Sequence, residues 1–168
     1  MRLENTDTVT VTDTVSVMAN EADGSLVATV EVGAPPARVF RALASDEICQ
    51  WWVRPGVFDT REWSGDVRAG GRWQTSGVGR GHPYTLGGTF LEVDAPRRLV
   101  HTWQFAGRPG APSTVSYDVE PIAGGTRVTL RHAGLADPEA RTNTRIGWET
   151  SFARLVEILA DEAQARRG

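Results

Sequence analysis

The sequence predicts an α+β domain in which an antiparallel β-sheet packs against one long C-terminal helix. Residues 60–133 consist of short segments with alternating apolar and polar residues, separated by Gly- and Pro-containing turns. This pattern is typical of antiparallel strands with one buried face. Residues 137–168 instead carry apolar side chains at helical spacing, which indicates a helix with one apolar face. The length of 168 residues fits one domain with a substantial core.

The first element predicted is a β-hairpin. Residues 8–17, TVTVTDTVSV, alternate strictly, and residues 26–32, LVATVEV, alternate again after an Asp-Gly turn signal. The loop is longer than two residues. A Thr-rich terminal segment that is frayed is the alternative for the first arm. We therefore predict an N-terminal extension over residues 1–24, forming one arm of the hairpin, and a single domain over residues 25–165.

Two short helices follow in the prediction. GAPPARVFRALAS (33–45) has prolines where a first helical turn tolerates them, and its apolar residues then follow a helical period. Ser45 or Asp46 can cap a second helix that runs through DEICQWWV (46–53). On a helical wheel, Trp51 and Trp52 flank Ile48 across about 100°, the width of one core-facing stripe. The adjacent tryptophans are thus predicted to form a single apolar wedge.

The remaining elements are six strands and the last helix. The strands are predicted in TREWSGDV (60–67), GGRWQTSG (70–77), YTLGGTFLEVDAP (84–96), RRLVHTWQF (97–105), STVSYDVEP (113–121) and GTRVTLRHA (125–133). The glycine-rich stretch 77–88 is predicted to be a flexible hairpin loop.

The last helix is expected to begin with Asp137 as its cap and Pro138 in its first turn. Its apolar stripe contains Trp148, Phe152, Leu155, Val156 and Leu159. The segment TNT (142–144) and the following Gly147 are poor helix formers, so a bend or restart is expected there. Arg145–Glu149 and Arg154–Glu157 are expected to pair on the exposed face.

Composition excludes several classes of partner. The net charge is −3, all 18 basic residues are arginine, and they cluster only as two Arg-Arg pairs, so no nucleic-acid partner is expected. One cysteine excludes an internal disulfide and suits a reducing compartment. The N-terminus lacks the pattern of a secretory signal, and no apolar run is long enough for a membrane span. We expect a cytoplasmic protein.

The sequence contains no motif for metal, phosphate or nucleophilic chemistry. It has no His-x-x-x-His, Cys-x-x-Cys, Gly-x-Ser-x-Gly or P-loop pattern. We therefore expect no metal, no cofactor and no catalytic residue. Glu62, Asp66, Glu92 and Asp118 are expected on the solvated outer face. A carboxylate facing inward beside His101 would change this expectation, because a buried acid next to an imidazole can act in proton transfer. Cys49 is expected to be a small buried residue rather than a nucleophile.

Several segments in order resemble a known family. They are APPARVFRALASDEICQWW (34–52), GGRW (70–73), GGTFLEVDAPRRLVHTWQF (87–105), VSYDVEPIAGGTRVTLRHAGL (115–135) and GWETSFARLVEILA (147–160). Together they make residues 26–161 similar to the START-like superfamily (SRPBCC, or Bet v 1-like). Within it, the chain resembles bacterial stand-alone members of the family named after the activator of heat-shock protein 90 ATPase. Phe152 stands where members commonly have Leu.

The resemblance implies a helix-grip fold. In that fold a curved antiparallel sheet of six to seven strands, with room for an extra N-terminal strand, wraps around the C-terminal helix, and two short helices follow the first family strand. A cavity between sheet and helix is also implied. The residues expected to line it are Trp51, Trp52, Trp73, Phe90, His101, Trp103, Tyr117, Trp148 and Phe152. The alternative is that each of them fills the core; within the tryptophan pair, Trp52 is expected in the core and Trp51 nearer the cavity.

Three functions are compatible with the resemblance. The first is non-catalytic binding of a small apolar or amphipathic molecule in the cavity. The second is a protein-interaction or chaperone-associated module, and the third is a polyketide-cyclase-like enzyme that uses a cavity histidine or acid. Monomer and homodimer are both open. The eukaryotic co-chaperone that names the family has a separate N-terminal domain. In its place this chain has only a short Thr/Val-rich segment, residues 1–24, so we do not expect chaperone activation. A stress-response role rests on the family name alone.

Overall fold

A computed structural model of the chain describes residues 15–19, 24–135 and 137–167. Within these ranges nine strands form one sheet: β1 (Val15–Ala19), β2 (Leu26–Val32), β3 (Val53–Arg54), β4 (Phe58–Gly65), β5 (Arg72–Gly79), β6 (His82–Asp94), β7 (Arg98–Phe105), β8 (Ser113–Ile122) and β9 (Gly125–Ala133). The helices of the same ranges are α1 (Pro36–Leu43), α2 (Ile48–Trp51) and α3 (Pro138–Arg167).

The strands form a curled, fully antiparallel sheet in the order β1-β2-β9-β8-β7-β6-β5-β4-β3. From β3 to β9 each strand pairs with the next, and β9 then pairs with β2. The predicted hairpin is present where the structure describes it, because Val15 pairs with Val30 and Ala19 pairs with Leu26. Residues 8–14 of the predicted arm lie outside the described residues. The predicted α+β helix-grip fold is confirmed.

Helix α3 lies across the concave side of the sheet. It packs against β1 and β2 at one edge and against β3 and α2 at the other. One face of the sheet is buried beneath it, as the alternation in β2, β8 and β9 predicts. The sheet and α3 therefore enclose the core between them.

The expected restart of the last helix does not occur. Helix α3 is continuous from Pro138 to Arg167, although it contains the 142–144 segment and Gly147. Burial of Trp148, Phe152, Leu155 and Leu159 against the sheet outweighs the weak local propensities, because apolar packing supplies most helix stability in proteins. The predicted Arg145–Glu149 pair forms at 3.7 Å. Arg154 instead donates from Nε to the Gln50 carbonyl oxygen at 2.7 Å, which joins α3 to α2.

The helical wheel of the tryptophan pair was wrong in one respect. Helix α2 ends at Trp51, and Trp52 leaves the helix with φ −87° and ψ 62°. Both rings are nevertheless buried, and they meet edge to face with ring centroids 5.8 Å apart. The turn before α2 is held by Ser45, whose hydroxyl donates to the Arg41 carbonyl and accepts from the Glu47 amide. The wedge exists, but two different backbone conformations produce it.

The glycine-rich stretch 77–88 is also different from the prediction. Strands β5 and β6 continue to Gly79 and from His82, so only Arg80 and Gly81 form the turn. Both have positive φ, 52° and 82°, as expected of a two-residue type I′ hairpin turn. Gly77 lies within strand β5. A Cβ at this position would lie 2.0 Å from the Asp59 carbonyl oxygen, so only glycine allows the neighbouring strand to come this close. The glycine permits close strand approach rather than loop flexibility.

Candidate ligand-binding site

The nine residues expected to line a cavity come together as one buried group. We call it the aromatic cluster; its members are Trp51, Trp52, Trp73, Phe90, His101, Trp103, Tyr117, Trp148 and Phe152. Strands β5 to β8 supply one layer, and α2, its C-cap and α3 supply the other. Eight members are buried, and Trp103 is half-buried. The cluster occupies the space between the sheet and α3.

Trp52 lies at the centre of the aromatic cluster. Its ring centroid is 5.1 Å from that of Trp103, 5.9 Å from that of Trp148 and 6.3 Å from that of Trp73. These distances are typical of edge-to-face and tilted aromatic pairs, which gain energy beyond area burial. Trp52 therefore joins the sheet layer to the helix layer.

Trp51 packs on the helical side of the cluster. Its ring stacks on Phe152 with centroids 6.1 Å apart, and its Nε1–H donates to the Ala42 carbonyl oxygen at 2.9 Å. The phenyl ring of Phe152 thus contacts Trp51 directly. Trp51 ties α1, α2 and α3 together, whereas Trp52 faces the interior.

A local distortion of the sheet holds Trp73 and His101 in place. The Thr102 carbonyl oxygen accepts from Trp73 Nε1–H at 3.1 Å and from His101 Nδ1 at 2.9 Å. Because a carbonyl can only accept, His101 carries its proton on Nδ1. The Thr89 amide, which would otherwise face this carbonyl, donates to Thr102 Oγ1 at 2.9 Å. Gly88 leaves the necessary space, since a Cβ there would lie 2.1 Å from the same carbonyl oxygen.

His132 is fixed by a chain of hydrogen bonds. Trp148 Nε1–H donates to His132 Nδ1 at 3.1 Å, so Nε2 carries the proton and donates to Ser113 Oγ at 2.8 Å. The Ser113 hydroxyl in turn donates to the Trp103 carbonyl oxygen at 3.2 Å. Burial lowers the pKa of His132 to about 3 and that of His101 to about 4. Both imidazoles are therefore neutral at physiological pH.

Two polar atoms inside the aromatic cluster lack a partner. Trp52 Nε1 and Tyr117 Oη are buried and make no hydrogen bond to the residues that the structure describes. Burial also raises the pKa of the Tyr117 hydroxyl, which keeps it a neutral O–H donor. A buried donor without a partner costs about 1–3 kcal/mol. These two donors are therefore unsatisfied among the residues that the structure describes.

The carboxylates considered from the sequence lie away from the cluster. Glu62, Asp66, Glu92 and Asp118 are all exposed, and Glu92 and Asp118 pair with Arg98. No carboxylate contributes to the lowered pKa of His101. Within the described ranges, no group of His, Cys, Asp and Glu side chains has the geometry of a metal site.

Sequence reasoning missed the residues that orient the cluster. Gly88, Thr102 and Ser113 position the histidines and Trp73 through backbone or hydroxyl atoms, and such contacts leave no periodic signal in a sequence. Cys49 is half-buried rather than buried. It lines a cleft of about 510 Å³ beside α2 and the outer part of β4, together with Asp46 and Trp63.

The fold and the site together define a helix-grip protein with an aromatic interior, and the comparisons with known proteins give the family. Residues 33–160 match the family model described as activator of Hsp90 ATPase homolog 1-like protein. The match spans most of the chain, so the chain belongs to this family. No curated protein matches the sequence.

Solved structures of bacterial proteins share the fold. The protein Ms6760 from Mycobacterium smegmatis is 24% identical, with a TM-score of 0.74 over 86% of this chain and 96% of that one. A Rhodobacter sphaeroides protein is 23% identical, with a TM-score of 0.75 over 89% and 99% of the two chains. The AHSA1 protein from Silicibacter pomeroyi is 28% identical, with a TM-score of 0.69 over 82% and 99%. Among the described residues, no helix is both long and apolar enough to span a bilayer.

Proposed function

We propose that the protein binds a small hydrophobic or amphipathic molecule at the aromatic cluster, without catalysis. The family fold commonly binds hydrophobic ligands. The observation that carries the proposal for this chain is the pair of unpartnered donors, Trp52 Nε1 and Tyr117 Oη, inside an otherwise apolar layer. Ligand sites are mostly apolar with a few polar groups that fix orientation.

The chemistry of the cluster favours one class of ligand. Six of the nine side chains are Trp or Tyr, whose flat apolar surfaces suit contact with a planar or aliphatic body. The two free donors require a hydrogen-bond acceptor, such as a carbonyl, ether or phenol oxygen. Eight of the nine side chains are buried, so the proposed binding requires rings between the sheet and α3 to move apart.

The arrangement of the histidines supports binding rather than turnover. Both ring nitrogens of His132 are engaged by Trp148 and Ser113. His101 donates its Nδ1–H to the Thr102 carbonyl oxygen and has no carboxylate partner. A general acid or base needs a titrating group within reach of a reacting proton, and these imidazoles serve as fixed structural donors instead.

The test combines ligand screening with a matched pair of tyrosine variants. Aromatic phenols, polyketides and fatty acids are screened by tryptophan fluorescence and thermal shift. Each compound that binds is then titrated against Tyr117→Phe and Tyr84→Phe, which change the chain's two tyrosines. Tyr117→Phe is expected to weaken binding while leaving the free protein as stable or up to about 1 kcal/mol more stable, because it removes an unpaired buried hydroxyl.

Tyr84→Phe is the control. The Tyr84 hydroxyl shares a 2.6 Å hydrogen bond with Thr60 Oγ1, so its loss is expected to cost about 1 kcal/mol of stability and leave ligand affinity unchanged. The proposal is wrong if no compound changes the fluorescence or the melting temperature. It is also wrong if Tyr117→Phe binds every compound as tightly as the parent chain.

A further inference from the structure

A cleft of about 610 Å³ lies on the convex face of the sheet, away from α3. Its floor contains Gln74, Gly87 and Gln104, which are cross-strand partners on β5, β6 and β7. Gly87 has no side chain, so a depression remains between the side chains of Gln74 and Gln104. These residues alternate with the core-facing Trp73, Leu86 and Trp103, which places them on the opposite face. The cleft thus opens on the outer face of the sheet, and Trp73 of the aromatic cluster is the one member that also contributes to its lining.

The segment after β7 forms one wall of the cleft. Gln104 Nε2 donates to the Gly110 carbonyl at 2.7 Å and to the Arg108 carbonyl at 3.3 Å. These bonds hold residues 106–110 beside the sheet. The guanidinium carbon of Arg108 lies 5.9 Å from the centroid of the Phe105 ring, a cation–π distance. Arg108 is therefore held at the rim by the same strand that forms the floor.

The charge of this cleft is opposite to that of the whole chain. Arg72 and Arg108 line it, and its described lining contains neither Asp nor Glu. Neither arginine forms an ion pair with the described residues, whereas Arg61, Arg68 and Arg97 each have a carboxylate partner. The chain as a whole carries a net charge of −3. Two unneutralised guanidinium groups around a polar floor create a local positive potential.

We propose that this outer-face cleft binds a small polar anion that carries a phosphate or carboxylate group. Arginine matches the geometry of both oxyanions through paired N–H donors. The remaining lining of Gln74, Thr85, Thr89 and Gln104 offers amide and hydroxyl groups, which suit a hydroxylated body rather than an apolar one. The volume lies within the range of sites for small molecules.

Glucose 6-phosphate is a suitable probe because it joins a dianion to a hydroxylated body. Citrate provides the carboxylate arm of the experiment, and glucose provides the uncharged arm. Binding is followed by the backbone amide NMR signals of Gly87, Gly88 and Gly107, which line the cleft. Arg72→Gln and Arg108→Gln are each expected to weaken binding roughly tenfold, and binding should weaken as salt is raised.

Arg80→Gln is the matched control, because Arg80 is exposed in the β5–β6 turn, lies outside the cleft lining and has the same charge. It should retain the affinity of the parent chain, and all three variants should keep its melting temperature. The proposal is overturned if millimolar glucose 6-phosphate and citrate leave the three glycine signals unmoved. It is equally overturned if Arg80→Gln weakens binding as much as the cleft variants, or if glucose shifts the signals as strongly as its phosphate.

Discussion

Gly88 and Thr102 show how one small residue can arrange several large ones. The Thr102 carbonyl turns away from its place in the β6–β7 ladder and accepts from the side chains of Trp73 and His101. The Thr102 hydroxyl compensates by accepting from the Thr89 amide. The Thr102 carbonyl, the Thr89 amide and the Trp73 indole N–H thereby all have partners, as polar groups away from water require. The conformation depends on the absence of a side chain at position 88.

Gly88→Ala is therefore expected to destabilise the protein by about 3 kcal/mol, because the added methyl meets backbone and endangers two buried hydrogen bonds. A Cβ at this position would lie 2.1 Å from the Thr102 carbonyl oxygen and 2.6 Å from its Oγ1. Urea denaturation followed by tryptophan fluorescence measures the loss.

The control for this variant is Gly147→Ala in α3. A Cβ at Gly147 has nothing within 4 Å, so the better helix propensity of alanine should raise stability by up to about 1 kcal/mol. A Gly88→Ala protein that is as stable as the parent would show that the strand accommodates the methyl group and that the Thr102 carbonyl does not require glycine at position 88.

At the residue scale, the sequence predicted which side chains meet but not how their polar atoms pair. Alternation placed His101, Trp103 and Tyr117 on the buried face correctly, because period two is a property of each strand alone. The unpaired Tyr117 hydroxyl and the bonded Trp51 indole depend on distances between elements far apart in the chain. No local pattern contains those distances.

Among the elements, α1 and α3 are joined by a charged clamp. Arg38, whose side chain is only 9% exposed, makes two hydrogen bonds to Glu162 at 2.7 and 2.8 Å and an ion pair with Glu47 at 2.8 Å. The same pairing lowers the pKa of Glu162. The clamp connects the first helix, the segment before α2 and the C-terminal half of α3.

Arg38→Met is expected to cost about 2 kcal/mol, because it keeps the apolar stem but removes the buried partner that Glu47 and Glu162 share. The two carboxylates then keep only Arg41 and Arg166 as partners. The exposure of Glu162, 31%, keeps the effect below that of a fully buried pair. Thermal and urea denaturation measure it.

Arg97→Met provides the comparison, since Arg97 pairs with Asp94 at 3.1 Å with both side chains largely exposed. Pairs of that kind contribute about 0–1 kcal/mol, so this variant should be nearly neutral. Equal effects of the two substitutions would mean that Arg38 acts only as one more surface charge.

Element boundaries could be predicted where the sequence signals agreed. They could not be predicted where an element was too short to give a signal or where two signals opposed each other. Strand β9 was predicted over its observed range, Gly125–Ala133, because alternation and flanking glycines agree there. Strand β3 was missed because two residues, Val53–Arg54, are too few for any period. In α3, the low helix propensity of residues 142–147 favoured an interruption, but burial of the apolar stripe keeps the helix continuous.

For the molecule as a whole, the two buried histidines make stability depend on pH. Their pKa values in the folded state, about 4 for His101 and about 3 for His132, lie below the value of about 6.5 expected in the unfolded chain. The unfolded state therefore binds more protons below pH 6.5. The stabilising contribution is fully present above that pH and is lost as pH falls toward 4 and 3.

Between pH 7.5 and pH 5.0 the free energy of unfolding should fall by about 4 kcal/mol, or about 2 kcal/mol for each imidazole. Denaturation curves at half-unit pH intervals provide the measurement. A free energy of unfolding that stays constant over this interval would mean that the folded protein protonates these imidazoles as readily as the unfolded chain does.

The position of Trp148 also affects how the chain folds during its synthesis. The sheet is complete once Ala133 has been made, but the helix that covers its apolar face begins at Pro138 and brings Trp148 and Phe152 later still. A nascent chain thus presents Trp52, Trp73 and Trp103 on an uncovered surface until translation reaches α3. Exposed surfaces of this kind attract chaperones and neighbouring chains, so synthesis of α3 is the step that covers this apolar surface and lowers the risk of aggregation.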